Sequence, residues 1–445
     1  MPKRPQKRRV LPSSSIGELL EDGLVFHRAN RLKEARSVYE QILSIDAKCV
    51  DALHLLSRID FQEGRKQQAI AKLTKVVALS QDNVKALQDL GNMLQESGDL
   101  PKAEEIFRCI IEIAPDHADA HNCIGICLKN QNRVDEAIAA YRRAIEIHPE
   151  NLGFQQNLGN ALKRIQNWNE AEEVFRDLSN AAPNDPEVFR NLGIVLRHLN
   201  RLDDAKVAFE RLLELDPDNP IARHFVAACD SEKTLVRADA EYVREVFDEF
   251  ADTFESHLGQ LGYDAPEWAG QVASQMFSDV QQSSLVALDA GCGTGLCGPH
   301  LKPLVDRLVG IDLSPKMIDK AKSTDAYDQL VATDLMEYLN GHQREFNLIV
   351  AADTFNYFGD LSLVFAACAE ALLDGGGLVF TLEEDEDTSN EPYRLFPHGR
   401  FGHAASYVLE MLSQHGFSVH RNEQKTLRME ADRPVPGLFI SARKN

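Results

Sequence analysis

Alanine returns on a fixed clock through the first half of the chain, at Ala35, Ala69, Ala103, Ala137, Ala171 and Ala205, 34 residues apart each time. Glycine keeps the same period at Gly91, Gly125, Gly159 and Gly193, and proline at Pro115, Pro149, Pro183 and Pro217. Four residues after each alanine stands a large side chain: Tyr39, Leu73, Phe107, Tyr141, Phe175 or Phe209. A chain that holds phase through six units is a stack, because each unit buries its apolar face only against its neighbours. Each unit reads as two amphipathic helices. The glycine on the first helix and the alanine on the second mark places too close for a side chain. The large residue one turn later is expected to fill the space between units. The proline ends the unit, since it cannot continue the hydrogen-bond ladder.

This period and pattern resemble the tetratricopeptide repeat over about residues 16–220. The first two repeats depart from it. Asp22 precedes Gly23 where leucine is usual, Ser57 replaces the second glycine, and neither repeat ends in proline. Residues 220–230 read as a capping helix, so the repeat domain is expected over 16–230, as a superhelix with a concave groove. The inward position of successive first helices carries Asp89, Cys123, Asn157 and Asn191. Asn157 and Asn191 resemble the asparagine ladder of the repeats in O-GlcNAc transferase. That resemblance implies a protein or peptide held in the groove by its backbone, since an amide side chain offers both donor and acceptor. Lys129, Lys163 and Arg197 recur six residues further on. They suit either an acidic peptide or the dipole of a helix C-terminus.

From about residue 240 the period changes. Apolar strands are expected at 284–290, 307–313, 328–335, 346–353 and 377–384, with two more near 417–423 and 437–443. Helices fall between them, one over 361–373 and one near 403–414. Such alternation gives a mostly parallel sheet covered on both faces, with ligands at the carboxyl ends of its strands. After the first strand comes ALDAGCGTGLCG (287–298), which places Gly291, Gly293 and Gly295 where a cofactor can lie on bare backbone. A nicotinamide dinucleotide wants a third glycine at the sixth position of the loop, and Leu296 stands there instead. Asp289, two residues before the first glycine, would repel a pyrophosphate and attract an ammonium.

LDAGCGTG resembles the first motif of the seven-strand S-adenosylmethionine-dependent methyltransferases. The resemblance implies that Asp289, Gly291, Cys292, Gly293 and Gly295 border the cofactor. It implies that Asp312, with Leu313, takes the ribose hydroxyls, and that Asp334 bonds the adenine amino group beside Leu335. Asp353 would face methionine and substrate. Upstream, Phe247, Asp248, Ala251 and Phe254 form an F-D-x-x-A-x-x-F pattern similar to the lid helix of these enzymes. The whole chain resembles bacterial tetratricopeptide-repeat methyltransferases of unassigned substrate. The implied architecture is multidomain: an all-α repeat superhelix, then an α/β Rossmann-like seven-strand methyltransferase domain over 231–445. The implied activity is methyl transfer from S-adenosylmethionine, with the repeats recruiting a protein partner or substrate. A small-molecule methyltransferase using its repeats for assembly, and an inactive scaffold, are the other readings. The intact set Asp289, Gly291, Gly293, Asp312 and Asp334 speaks against the scaffold.

A general base is needed only if the acceptor is protonated at neutral pH. Segment 383–403 is expected as a long loop over the strand ends, and its Tyr393, Arg400 and His403 are the candidates. The run Glu383–Asp387 reads as a solvated loop, not a metal site, and no metal is expected. A net charge of −21 over 445 residues argues against a sequence-blind nucleic-acid binder. Residues 1–15, with Lys3, Arg4, Lys7, Arg8 and Arg9, read as a basic disordered tail with no apolar run of a secretory signal. No stretch reaches the ~18 apolar residues of a membrane span. Eight scattered cysteines suit free thiols in a reducing cytoplasm.

Overall fold

Each repeat folds as the pair of helices its pattern demands. A computed structural model describes residues 15–230, 235–259, 261–278, 285–387, 391–430 and 433–445. The basic tail lies outside the described residues except for Ser15, as does position 231, where the methyltransferase domain is expected to begin. The chain divides into two compact units, Met1–Pro183 and Asn184–Asn445.

In the first unit the pairs are α1 (Ile16–Arg28) and α2 (Leu32–Ile45), α3 (Val50–Gln62) and α4 (Lys66–Leu79), and α5 (Val84–Glu96) and α6 (Leu100–Ile113). They continue with α7 (Ala118–Asn130) and α8 (Val134–Ile147), then α9 (Leu152–Arg164) and α10 (Trp168–Ala181). The second unit opens on the last pair, α11 (Pro186–His198) and α12 (Leu202–Leu215), followed by α13 (Pro220–Ala228).

The periodic glycine and the periodic ring meet inside one repeat. A Cβ added at Gly23, Gly91, Gly125, Gly159 or Gly193 would come within 2.3 to 2.7 Å of Tyr39, Phe107, Tyr141, Phe175 or Phe209. All five rings are fully buried. The ring therefore seats on the glycine of its own repeat and also meets the next unit: Tyr39 packs in one cluster with Ala52, Leu56 and Ile59, and Phe209 stacks on Phe225 at 5.3 Å. Polar side chains pair from one repeat to the next: His54 Nε2 with Asp89 Oδ2 at 2.7 Å, and Asn157 Nδ2 donating to Asn122 Oδ1 at 2.9 Å.

The second unit continues through α14 (Ala240–Phe250), α15 (Phe254–Leu258) and α16 (Ala265–Met276) into a sheet. Its strands are β1 (Val286–Ala290), β2 (Arg307–Asp312), β3 (Gln329–Ala332), β4 (Phe346–Ala351) and β5 (Leu372–Glu384). After these come β6 (Tyr393–Leu395), β7 (Phe401–His403), β8 (Phe417–Glu430) and β9 (Arg433–Lys444). Helices α17 (Gly298–Leu301), α18 (Pro315–Ala321), α19 (Leu335–Gly341), α20 (Ser362–Ala371) and α21 (Ala405–Gln414) connect them. The spatial order is β3-β2-β1-β4-β5-β7-β6, and β9 lies antiparallel between β5 and β8.

Strand residues alternate between two apolar layers. Leu288 and Ala290 pack with α19, α20 and α21 on one face, and Ala287 packs with α16 and α17 on the other. Two expectations need correction. Segment 383–403 is not one long loop, because it contains the β6–β7 hairpin, and β7 pairs with Glu383 and Glu384. Helix α20 also stops at Ala371, and β5 starts at Leu372, where a register shift against β4 and a left-handed Gly375 (φ +75°) absorb the irregularity. Among the described residues no helix is long and apolar enough to cross a membrane.

Candidate functional site

The sheet reverses direction at β1. From there the chain goes to β2 on one side and reaches β4 on the other, so the loops after β1 and β4 diverge and leave a crevice. The glycine loop fills its floor. Gly291, Gly293 and Gly295 have φ of +75°, +54° and +92°, conformations that L side chains rarely adopt. The amides of Gly291 and Cys292 both donate to the Ile311 carbonyl at 2.8 Å, which binds the loop to β2. A Cβ on Gly291 would lie 2.2 Å from Thr354 Oγ1. Gly293 is less crowded: among the described residues a Cβ there would meet only Phe254 Cε1, at 3.8 Å, an ordinary contact, and both residues border the space above the loop.

That space is a cavity of about 280 Å³. Its walls include Gly291, Cys292, Gly293, Asp312, Leu313, Leu335 and Asp353 from the expected set. Asp312 anchors the loop, accepting from Gly293 N at 3.0 Å and from Ser314 N at 2.8 Å. Burial raises its carboxyl to about 6 against the pull of those two donors. Asp353, two residues past the end of β4, has φ +58°, a strained conformation for a non-glycine residue and one that clusters at functional sites. Its Oδ1 accepts from Thr381 Oγ1 at 2.9 Å and its Oδ2 from Arg428 Nη1 at 2.7 Å. Burial raises it too, opposed by Arg428. Thr294 stands in the cavity wall, and its buried hydroxyl has no hydrogen-bond partner among the described residues.

A lid of rings closes the crevice. Phe247 on α14 meets Phe254 at 6.0 Å and Tyr357 at 5.7 Å, both edge-on. Asp248, the next residue, accepts from Ser314 Oγ at 2.5 Å and so ties the lid to the start of α18.

Three expected residues stand elsewhere. Asp289 is 1% exposed beneath the loop, accepts from Tyr327 Oη at 2.6 Å, and does not line the cavity. Burial pushes its carboxyl up to about 7, with the Tyr327 bond opposing and the Asp312 charge adding. Gly295 packs near Thr324 and Tyr327 instead of facing the cavity. Asp334 is the N-cap of α19, accepting from Met336 N at 2.9 Å, and is ion-paired with Arg237, a cavity residue stacked 4.6 Å over Phe358.

Among the base candidates, the structure admits Arg400 to the cavity and corrects the other two. His403 is fully buried on β7, its Nε2 at 2.8 Å from the Phe358 carbonyl, and burial holds it down to about 4. Tyr393 packs on Phe401 and Tyr407. Asn191 is corrected as a groove residue as well: it is 2% exposed, and its amide donates to the Glu187 carbonyl and carboxylate of its own helix.

Sequence reasoning missed a buried charge cluster in the cavity wall. Arg428 pairs with Asp353, Glu383 and Glu430, and Arg400 pairs with the same two glutamates. His398 Nε2 stands 3.2 Å from Glu383. Glu383 is 2% exposed, so the acidic run is not a solvated loop at its start. Burial raises its carboxyl, but Arg400, His398 and Arg428 overcome this and hold it well below the usual range.

Fold and site define a helical repeat array followed by an α/β domain with a glycine-loop cavity, and comparison with known proteins adds the families. Residues 287–376 match the family model of a methyltransferase domain, and tetratricopeptide-repeat models match residues 60–124, 130–193 and 186–219. The chain thus carries tetratricopeptide repeats and a methyltransferase domain. It is similar to a ubiquinone biosynthesis O-methyltransferase of Methylocella silvestris, 33% identical over 127 residues, or 27% of this chain and 46% of that one. It is also similar to nodulation protein S of Rhizobium tropici, 29% identical over 145 residues, or 31% and 56% of the two chains. The chain thus spans about half the length of these two relatives. The repeats are similar to the crystal structure of the MamA protein, with a TM-score of 0.36 and 23% identity over 38% of this chain and 92% of that one.

Proposed function

We propose that the chain is an S-adenosylmethionine-dependent methyltransferase whose repeats recruit a protein, as substrate or as tether. The observation that carries this is the glycine loop. Its Gly291, Gly293 and Thr294 line a cavity walled by Asp312 and Asp353, and Leu296 stands at the sixth position where a pyrophosphate loop has its third glycine. Gly291, Cys292, Gly293, Leu313 and Leu335 would supply the surface for the cofactor, and Asp312 the acceptor for the ribose hydroxyls. Asp353 would stand at the methionine end. Asp289 and Asp334 would act from outside the wall, the first through its charge beneath the loop, the second by fixing the start of α19. When bound, the cofactor supplies a methyl group on a sulfonium that leaves readily.

The chain's own work is alignment and exclusion of water. Phe247, Phe250, Phe254 and Tyr357 present aromatic faces that favour a cation. Arg428 orients Asp353, and the raised carboxyl of Asp353 is the cavity group suited to take a proton from a hydroxyl, amide or ammonium acceptor. The name of the Methylocella relative favours an oxygen acceptor. For the repeats, the lateral His54–Asp89 and Asn122–Asn157 pairs offer polar groups to an extended peptide. Unpaired cysteines suit action in a reducing cytoplasm.

The test is methyl-labelled cofactor added to lysate with the purified chain. Label in macromolecules is the expected result and supports recruitment. Label confined to small molecules favours the assembly reading of the repeats, and label in neither fraction contradicts the proposed activity.

A further inference from the structure

The turn joining β6 to β7 is held from outside the sheet. It closes with Phe396 N donating to the Arg400 carbonyl at 2.9 Å and Gly399 N to the Phe396 carbonyl at 2.8 Å. Gly399 has φ +92°, and a Cβ there would lie 2.4 Å from the Tyr242 hydroxyl. Arg197 on α11 donates from Nη1 to the Pro397 carbonyl at 3.1 Å, its guanidinium 4.7 Å over Phe225. His224 on α13, 1% exposed, donates from Nε2 to the Gly399 carbonyl at 2.9 Å and stacks on Tyr242 at 3.8 Å. Burial holds His224 down to about 4, so at neutral pH it is a neutral imidazole. Two groups that are costly to take out of water are thus both directed at carbonyls of one short turn.

The residue after that turn's glycine enters the cavity. Arg400 pairs with Glu383 and, at 2.5 Å, with Glu430 Oε1. Arg428 shares both glutamates and bonds Asp353. A continuous set of contacts therefore runs from the last repeat to Asp353.

We propose that Arg197 and His224 are positioning residues of the methyltransferase site: the last repeat and the helix after it set where Arg400 stands and, through the shared glutamates, where Asp353 stands. This rests on reading the cavity as the S-adenosylmethionine site. Arg197 is the last of the periodic cations of the repeats, so a repeat position is used here as part of the enzyme.

The test uses the full chain and two readouts. Calorimetry with S-adenosylmethionine should show affinity reduced about three- to tenfold in Arg197→Met, in His224→Gln and in Arg400→Gln. The double variant Arg197→Met/Arg400→Gln should be no weaker than Arg400→Gln alone, because contacting groups in one network are not additive. Arg197→Lys, which keeps a donor, should recover part of the loss, and Val207→Ser, an exposed change on α12, should have no effect. Hydrogen exchange over 396–403 should rise in Arg197→Met and His224→Gln whether or not the cofactor is present. Additive losses, or unchanged affinity in the single variants, overturn the inference. If the wild type does not bind the cofactor, the cofactor reading fails, and unchanged exchange over 396–403 then overturns the positioning role on its own.

Discussion

Asp289 and Asp312 are carboxyls kept from water at a site read as one for a cation. Both titrate higher in the folded chain than in the unfolded one, at about 7 and about 6. The stability they lend is therefore full below about pH 4 and lost as pH rises through 6 and 7. Melting temperatures should show wild type losing ground to Asp289→Asn between pH 4 and 8; a pH-independent difference would contradict this assignment. A cationic cofactor should in turn bind more tightly at pH 8 than at pH 6. Gly291→Ala puts a Cβ 2.2 Å from Thr354 Oγ1 at a φ of +75°, and should cost about 1–3 kcal/mol in urea denaturation. The loop and the acids at or just past the ends of β2 and β4 were legible in sequence because their chemistry is bound to strand ends. The Arg428–Asp353 pair was not, because it joins residues 75 apart with no local pattern.

At the scale of elements, the repeats were the most legible part, since one glycine–ring contact recurs in every well-formed unit. Gly159→Ala is a sharp case. Helix propensity alone favours alanine by about 1 kcal/mol. The added Cβ would meet Phe175 Cζ at 2.7 Å, and overpacking a buried ring costs about 1–3 kcal/mol, so the variant should be less stable. A rise in its denaturation midpoint would show that the ring moves freely. The β6–β7 hairpin was illegible because each strand is three residues long, too short for any alternation to register, and only β7 joins it to β5. His403 was misplaced with it: read as opening a helix, it is a core residue on a strand.

For the whole molecule, the order of repeats and transferase domain was plain from the change of period. Where the second compact unit begins was not. Periodicity cannot tell which neighbour the last repeat packs on, and here α11 and α13 hold the turn that carries Arg400. A fragment of residues 184–445 should keep cofactor affinity, whereas one beginning at 231 should lose roughly tenfold or fail to fold. Equal binding by both would show the last repeat to be dispensable. The central claim is the identity of the cofactor, and calorimetric titration of wild type and Asp312→Ala with S-adenosylmethionine and with NADH tests it most directly. Micromolar S-adenosylmethionine binding and no NADH binding are expected, with a loss of about 1.5–3 kcal/mol in the variant as a charge-assisted bond disappears. NADH binding, or S-adenosylmethionine binding unchanged by Asp312→Ala, would contradict the claim.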